Sequence, residues 1–87
     1  MIAGPTRTIE VRLFGPQAAL VGTDAVPVTV PEEVTVKNLK HLLREAAPPL
    51  AASIVGSRLA VDHAYAADDD SVPPGAEVAL IGLVSGG

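Results

Sequence analysis

The residues best placed to do chemistry are the last four of the sequence, Val84-Ser85-Gly86-Gly87, which follow an apolar run, Val78-Ala79-Leu80-Ile81. Two residues without Cβ make the narrowest and most adaptable backbone available. Such a tail can thread a tight channel and carry the Gly87 carboxylate to a buried catalytic centre. A side chain at either glycine would obstruct both the passage and the attack. A carboxylate at neutral pH is a poor electrophile, because its charge repels nucleophiles, so a reactive Gly87 must first be activated. The expected reactive group is the Gly87 carboxylate, with Leu83, Val84, Ser85 and Gly86 as the inserting segment.

Other candidate chemistry is weak. His41 and His63 have neither a cysteine nor a fixed spacing to make a metal site, so surface or structural roles are expected and no metal. Asp68-Asp69-Asp70 lacks the spaced ligands and closing Glu of a calcium loop and reads as a solvated turn. Ser85 has no histidine at a recognisable motif spacing, and no phosphate-binding glycine motif is present.

The elements that must position the tail are legible from periodicity. Met1 to Thr8 reads as a loose lead-in. Ile9 to Phe14 alternates, with Ile9, Val11 and Leu13 on one face, and so reads as a half-buried strand closed by Gly15-Pro16. Gln17 to Val21 has room for one helical turn, and Gly22-Thr23-Asp24 is a turn signal. Val26, Val28 and Val30 alternate in a second strand, bounded by Pro31. Thr35 is a helix N-cap. Val36, Leu39, Leu42, Leu43 and Ala46 then form one apolar stripe, and Pro48-Pro49 stops the helix. Leu50 to Ser57 reads as loop, with a short strand at Ser53-Ile54-Val55. Leu59 to Val61 is a strand, Asp62-His63 a tight turn and Ala64 to Ala66 an edge piece. Glu77 to Ile81 is the last strand. The fold class is α+β, one main helix packed across a mixed sheet. The expected boundaries are 1–8 lead-in, 9–81 domain and 82–87 flexible diglycine tail.

Bulk properties bound the function. With 87 residues, the chain supports one small core. Only Phe14 and Tyr65 are aromatic, so that core must be aliphatic. The absence of cysteine removes disulfides, thiolate metal sites and a cysteine nucleophile, and fits a cytoplasmic chain. No signal peptide is visible and no apolar run reaches membrane-spanning length. Six basic against ten acidic residues give a net charge of −4, the opposite of a nucleic-acid binder. That balance suits a basic protein partner through steering and equally suits solubility.

Three stretches carry a family resemblance: Leu20-Val21-Gly22-Thr23-Asp24, Leu59-Ala60-Val61-Asp62-His63, and Pro74 to Ile81 leading into Val84-Ser85-Gly86-Gly87. With the element order, they resemble the ubiquitin-like β-grasp sulfur carriers, and most of all the small subunit of molybdopterin synthase. The family commonly has two prolines just before its end, where this chain has Gly82-Leu83. Prolines would stiffen the tail, and Gly82 is expected to hinge it instead.

The resemblance implies a chemistry and its partners. A ubiquitin-activating-like adenylyltransferase, using ATP, adenylates Gly87. Sulfur displaces AMP to leave a thiocarboxylate, and the charged tail enters the molybdopterin synthase large subunit to build the dithiolene of molybdopterin. The chain is then a recyclable sulfur donor with no bound cofactor and is not itself a catalyst. Nucleic acid and membrane are not expected partners. Other sulfur-transfer pathways (thiamin, tRNA thiolation) and a ubiquitin-like modifier role are the alternatives. By strand alternation Phe14 and Ile81 face away from the helix, and the β-grasp order makes their strands neighbours. With Tyr65 they form the expected partner-binding patch.

Overall fold

β1 (Thr6–Arg12) and β2 (Ala25–Pro31) pair antiparallel over their whole length, from Thr6 opposite Pro31 to Arg12 opposite Ala25. The alternation holds: Ile9 and Val11 of β1 and Val26, Val28 and Val30 of β2 point into the core. The computed structural model describes residues 4–82. β1 begins at Thr6, inside the stretch expected to be a loose lead-in. Pairing with the end of β2 recruits those residues, and Arg7 fastens them by donating to the carbonyls of Glu32, Pro73 and Val72.

β1 ends at Arg12 rather than at Phe14. Gly15-Pro16 turns the chain into a short helix, α1 (Gly15–Val21), with Phe14 as its extended N-cap and Gly22 in the left-handed region closing it. α2 (Val36–Ala46) is the main helix, with the expected limits. Thr35 caps it by accepting from the Asn38 N–H at 3.3 Å. The carbonyls of Asp70 and Asp68 accept from Val36 N and Lys37 N, each at 2.9 Å, so the acidic loop is fastened across the helix start while its side chains stay exposed. Val36, Leu39 and Leu43 are fully buried; Ala46, expected in the stripe, is exposed, and Ala47 is buried in its place.

The expected strand at Ser53-Ile54-Val55 is instead helical. Pro48–Leu50 makes a 3-10 turn that runs on into α3 (Ala51–Val55). Leu50 and Ile54, four apart, both face the core, whereas Val55 is 80% exposed. The helix stacks residues four apart one turn above the other, which sets both against the core. β3 (Ser57–Val61) and β4 (Ala64–Tyr65) follow, joined by Asp62-His63, both at positive φ. β5 (Val78–Gly82) closes the sheet.

The strand order is β2-β1-β5-β3-β4, with β5 parallel to β1 and antiparallel to β3. The core lies on one face of this mixed sheet, under α2, α1 and α3; the other face is open. α2 is too short to be stable alone and is held by burying its stripe here. The structure is the α+β arrangement expected, with two short helices added.

Candidate functional site

The open face is built by period-two alternation in four neighbouring strands. The register places Arg12 beside Ala79, Ala79 opposite Ala60, and Ala60 opposite Tyr65, one row across β1, β5, β3 and β4. Next to it, Ile81 stands opposite Arg58. The alanines at the centre leave a shallow hollow of about 340 Å³ rimmed by Phe14, His63, Tyr65, Glu77 and Ile81. Phe14 is 55% exposed and Tyr65 54%, large for aromatics on an 87-residue domain.

The three residues expected to form a partner patch, Phe14, Tyr65 and Ile81, therefore surround one hollow. Phe14 arrives there by a different route from the one expected. It is exposed because it caps α1 as the chain turns off the sheet, not because it alternates within β1.

Polar groups frame this apolar hollow. The Arg58 guanidinium lies 4.8 Å over the Tyr65 ring centroid, a cation–π contact that limits the ring's motion. His63 Nε2 lies 3.7 Å from a Glu77 carboxylate oxygen. The Asp62 N–H donates to the Glu77 carbonyl (2.8 Å) and the Glu77 N–H to Asp62 Oδ1 (2.9 Å), tying the hairpin turn to the start of β5. His41 sits apart on α2, 3.5 Å from Glu45. Asp68, also remote, has its carboxyl held below the ordinary value by a hydrogen bond from Lys40 (2.9 Å) and by that residue's charge.

A second groove, about 590 Å³, opens on the other side of Phe14 and Ile81, beside Pro16, Ala52, Gly56 and Gly82. Its floor holds a buried polar pair: Gln17 is 7% exposed and Ser57 6%. Gln17 Nε2 donates to Ser57 Oγ (2.7 Å), and Ser57 Oγ donates to the Ser53 carbonyl (2.6 Å).

Gly82, expected to begin the flexible tail, is instead the last residue of β5, in register with Ser57. The chain thus leaves from the middle of the sheet, between the two hollows. Leu83, Val84, Ser85, Gly86 and Gly87, the expected inserting and reactive residues, lie outside the described residues.

Sequence reading placed three residues on the rim and missed the rest. Alternation in β3 and β5 could have added Arg58, Ala60 and Ala79. Nothing in the sequence distinguishes Gln17 from a solvent-facing glutamine.

Comparison with known proteins matches residues 11–87 to the profile of the ThiS family. No curated protein matches the sequence. Among solved structures, SAMP1 from Haloferax volcanii superposes with a TM-score of 0.81 at 27% identity, covering 93% of this chain and all (100%) of that one. A second crystal structure, of H. volcanii small archaeal modifier protein 1, gives 0.79 at 25% identity over 88% and 98% of the two chains. A Pyrococcus furiosus protein assigned as molybdopterin converting factor, subunit 1, gives 0.77 at 19% identity over 88% and 98%. The fold is accordingly the ubiquitin-like β-grasp.

Proposed function

The chain belongs to the ThiS family, as a ubiquitin-like carrier or modifier and not a catalyst by itself, and from that premise we propose that it is a sulfur carrier working through the Gly87 carboxylate. The observation that carries this reading is the extent of the family match, which runs from β1 through Gly86 and Gly87. A ubiquitin-activating-like adenylyltransferase docks on the open face and receives the segment that follows Gly82. A carboxylate oxygen of Gly87 attacks the α-phosphorus of ATP, pyrophosphate leaves, and an acyl-adenylate forms. A sulfur nucleophile then adds to the carbonyl and AMP departs, leaving a thiocarboxylate. The chain needs no bound cofactor for this; ATP is consumed by its partner.

We assign the acceptor as the large subunit of molybdopterin synthase, where the thiocarboxylate supplies sulfur for the dithiolene, in the cytoplasm. Among the described residues no helix is long and apolar enough to cross a membrane. The likeness to the P. furiosus protein extends to the fold, and the tail motif Val84-Ser85-Gly86-Gly87 supports this acceptor; thiamin and tRNA thiolation are the alternative acceptors. A second reading, a modifier joined through Gly87 to lysines, draws on the 27% identity with the modifier SAMP1.

Intact-mass analysis of protein isolated from its native host separates the readings. A sulfur-for-oxygen exchange at Gly87 supports the carrier, and isopeptide-linked products support the modifier. Neither species would overturn both. A thiocarboxylate protein that donates sulfur to another acceptor but not to the large subunit would overturn the molybdopterin assignment alone.

A further inference from the structure

The open face carries a charge pattern at odds with the chain as a whole. Of six basic residues, Arg7 is held by the carbonyls of Glu32, Val72 and Pro73. Lys37, Lys40 and Arg44 belong to α2, on the covered side of the sheet. The other two, Arg12 and Arg58, both stand on the open face of a chain whose net charge is −4.

These two straddle the alanine floor. Arg12 ends the row Arg12-Ala79-Ala60-Tyr65 on the β1 side, and the Arg58 guanidinium covers the other end, 4.8 Å over Tyr65. Three strand spacings separate the ends of that row, about 14 Å. Toward the start of β5 the sign reverses. Glu10, Glu77 and Asp62 are exposed, and each lies one residue from the Val11-Val78-Val61 row. Glu77 has His63 Nε2 3.7 Å away. Among the described residues neither Arg12 nor Arg58 is in an ion pair. Stacking also prepares Arg58 for one kind of contact. A guanidinium resting on an aromatic ring keeps its N–H edge free, and its planar fork matches the two oxygens of a carboxylate. The ring holds that fork in place beforehand, so less ordering remains to be done on binding.

We propose that Arg58 and Arg12 dock the activating enzyme through carboxylates on its surface, while Glu10, Asp62 and Glu77 face cations of that same surface. The occupant rests on the carrier or modifier reading above; the charge pattern supplies its chemistry. The apolar hollow gives contact area without direction. Two rows of opposite sign admit one orientation along the strands, since a reversed partner would set like charges together. That orientation is defined against β5, which runs from the acidic row through the basic row to Gly82. Net charge alone points to a basic partner; the docking face calls for an acidic contact at Arg58 and Arg12.

Calorimetric titration of the full-length chain against the purified activating enzyme tests this, using Arg58→Glu, Arg12→Glu and, as a control, Arg44→Glu on the exposed side of α2. All three change the net charge equally, so steering by overall charge would weaken them equally. Arg58→Glu and Arg12→Glu should each raise Kd about tenfold or more, and Arg44→Glu should leave it near the wild-type value. The swap of Arg58→Glu with Glu77→Arg keeps the wild-type net charge and should still bind weakly. An Arg58→Glu chain that binds as well as Arg44→Glu, or wild-type affinity in the swapped chain, would overturn the proposal. Thermal denaturation checks each fold. Should a reversal fail to fold, Arg58→Gln replaces it and added salt reads the contact: a steeper rise of Kd with salt in the wild type supports the pairing, and equal slopes overturn it. Phe14→Ala separates this inference from the reading beneath it. Binding weakened by Phe14→Ala but not by the arginine variants keeps the docking face and removes the charge pairing; indifference to all of them removes both. A free chain that sediments as a dimer, and that Arg58→Glu splits, would make a second copy the occupant and overturn the assignment.

Discussion

Replacing Phe14 by alanine tests the docking face most directly. A phenylalanine can bury roughly 200 Å², and 55% of Phe14 remains exposed. Covering the ring with a partner would remove about 110 Å² more from water, worth roughly 2–3 kcal/mol at 25 cal/mol per Å². Alanine keeps the Cβ, so the lower end applies: about 2 kcal/mol, or roughly a 30-fold weaker Kd. The fold should barely respond. Phe14 lies outside the buried core cluster and its side chain makes no capping hydrogen bond. Its loss should cost under about 1 kcal/mol, a Tm change below about 8 °C for a domain of this size. Calorimetric titration against the activating enzyme, paired with thermal denaturation, reads both quantities. A Tm drop well beyond about 8 °C with unchanged affinity would show that Phe14 supports the fold. No change in either would show that the open face is not where the partner docks.

Deleting Gly86 and Gly87 should abolish sulfur transfer and leave the Tm unchanged, because the deleted residues lie beyond the last strand; sulfur delivery at the wild-type rate would refute the role of Gly87. Arg7→Met should destabilise by about 1–3 kcal/mol in denaturant titration, since the guanidinium bridges the carbonyls of Glu32, Val72 and Pro73; an unchanged midpoint would show that water replaces it freely. Asp68→Asn should lower the Tm at neutral pH. The folded pKa of Asp68 lies below 3.8, so its contribution is present above that pH and lost as pH falls through the folded value. The Tm gap between wild type and variant should therefore close in acid, and a gap that persists there would refute the Lys40 pairing as its source.

What the sequence determined by itself was local. The alternation of Ile9, Val11 and Leu13 and of Val26, Val28 and Val30 set the core faces of the first hairpin, because side chains alternate at each residue in any strand. Thr35 and Pro48 set the limits of α2, because capping and proline sterics act within a few residues. Asp62-His63 was readable as a turn for the same reason. The apolar spacing of Leu50 and Ile54 was also present in the sequence, but the β-branched Ile54-Val55 pair concealed it. Tertiary structure decided whatever depends on partners distant in the chain. Thr6 to Thr8 became strand only by meeting Thr29 to Pro31, and Gly82 stayed in the sheet only because Ser57 lies beside it. The central place of β5 gathered Phe14, Tyr65 and Ile81 around a floor of Ala60 and Ala79. Gln17 was buried by α3 and β3, which arrive more than thirty residues later in the chain, and no local pattern encodes a hydrogen bond to a residue that only folding brings near.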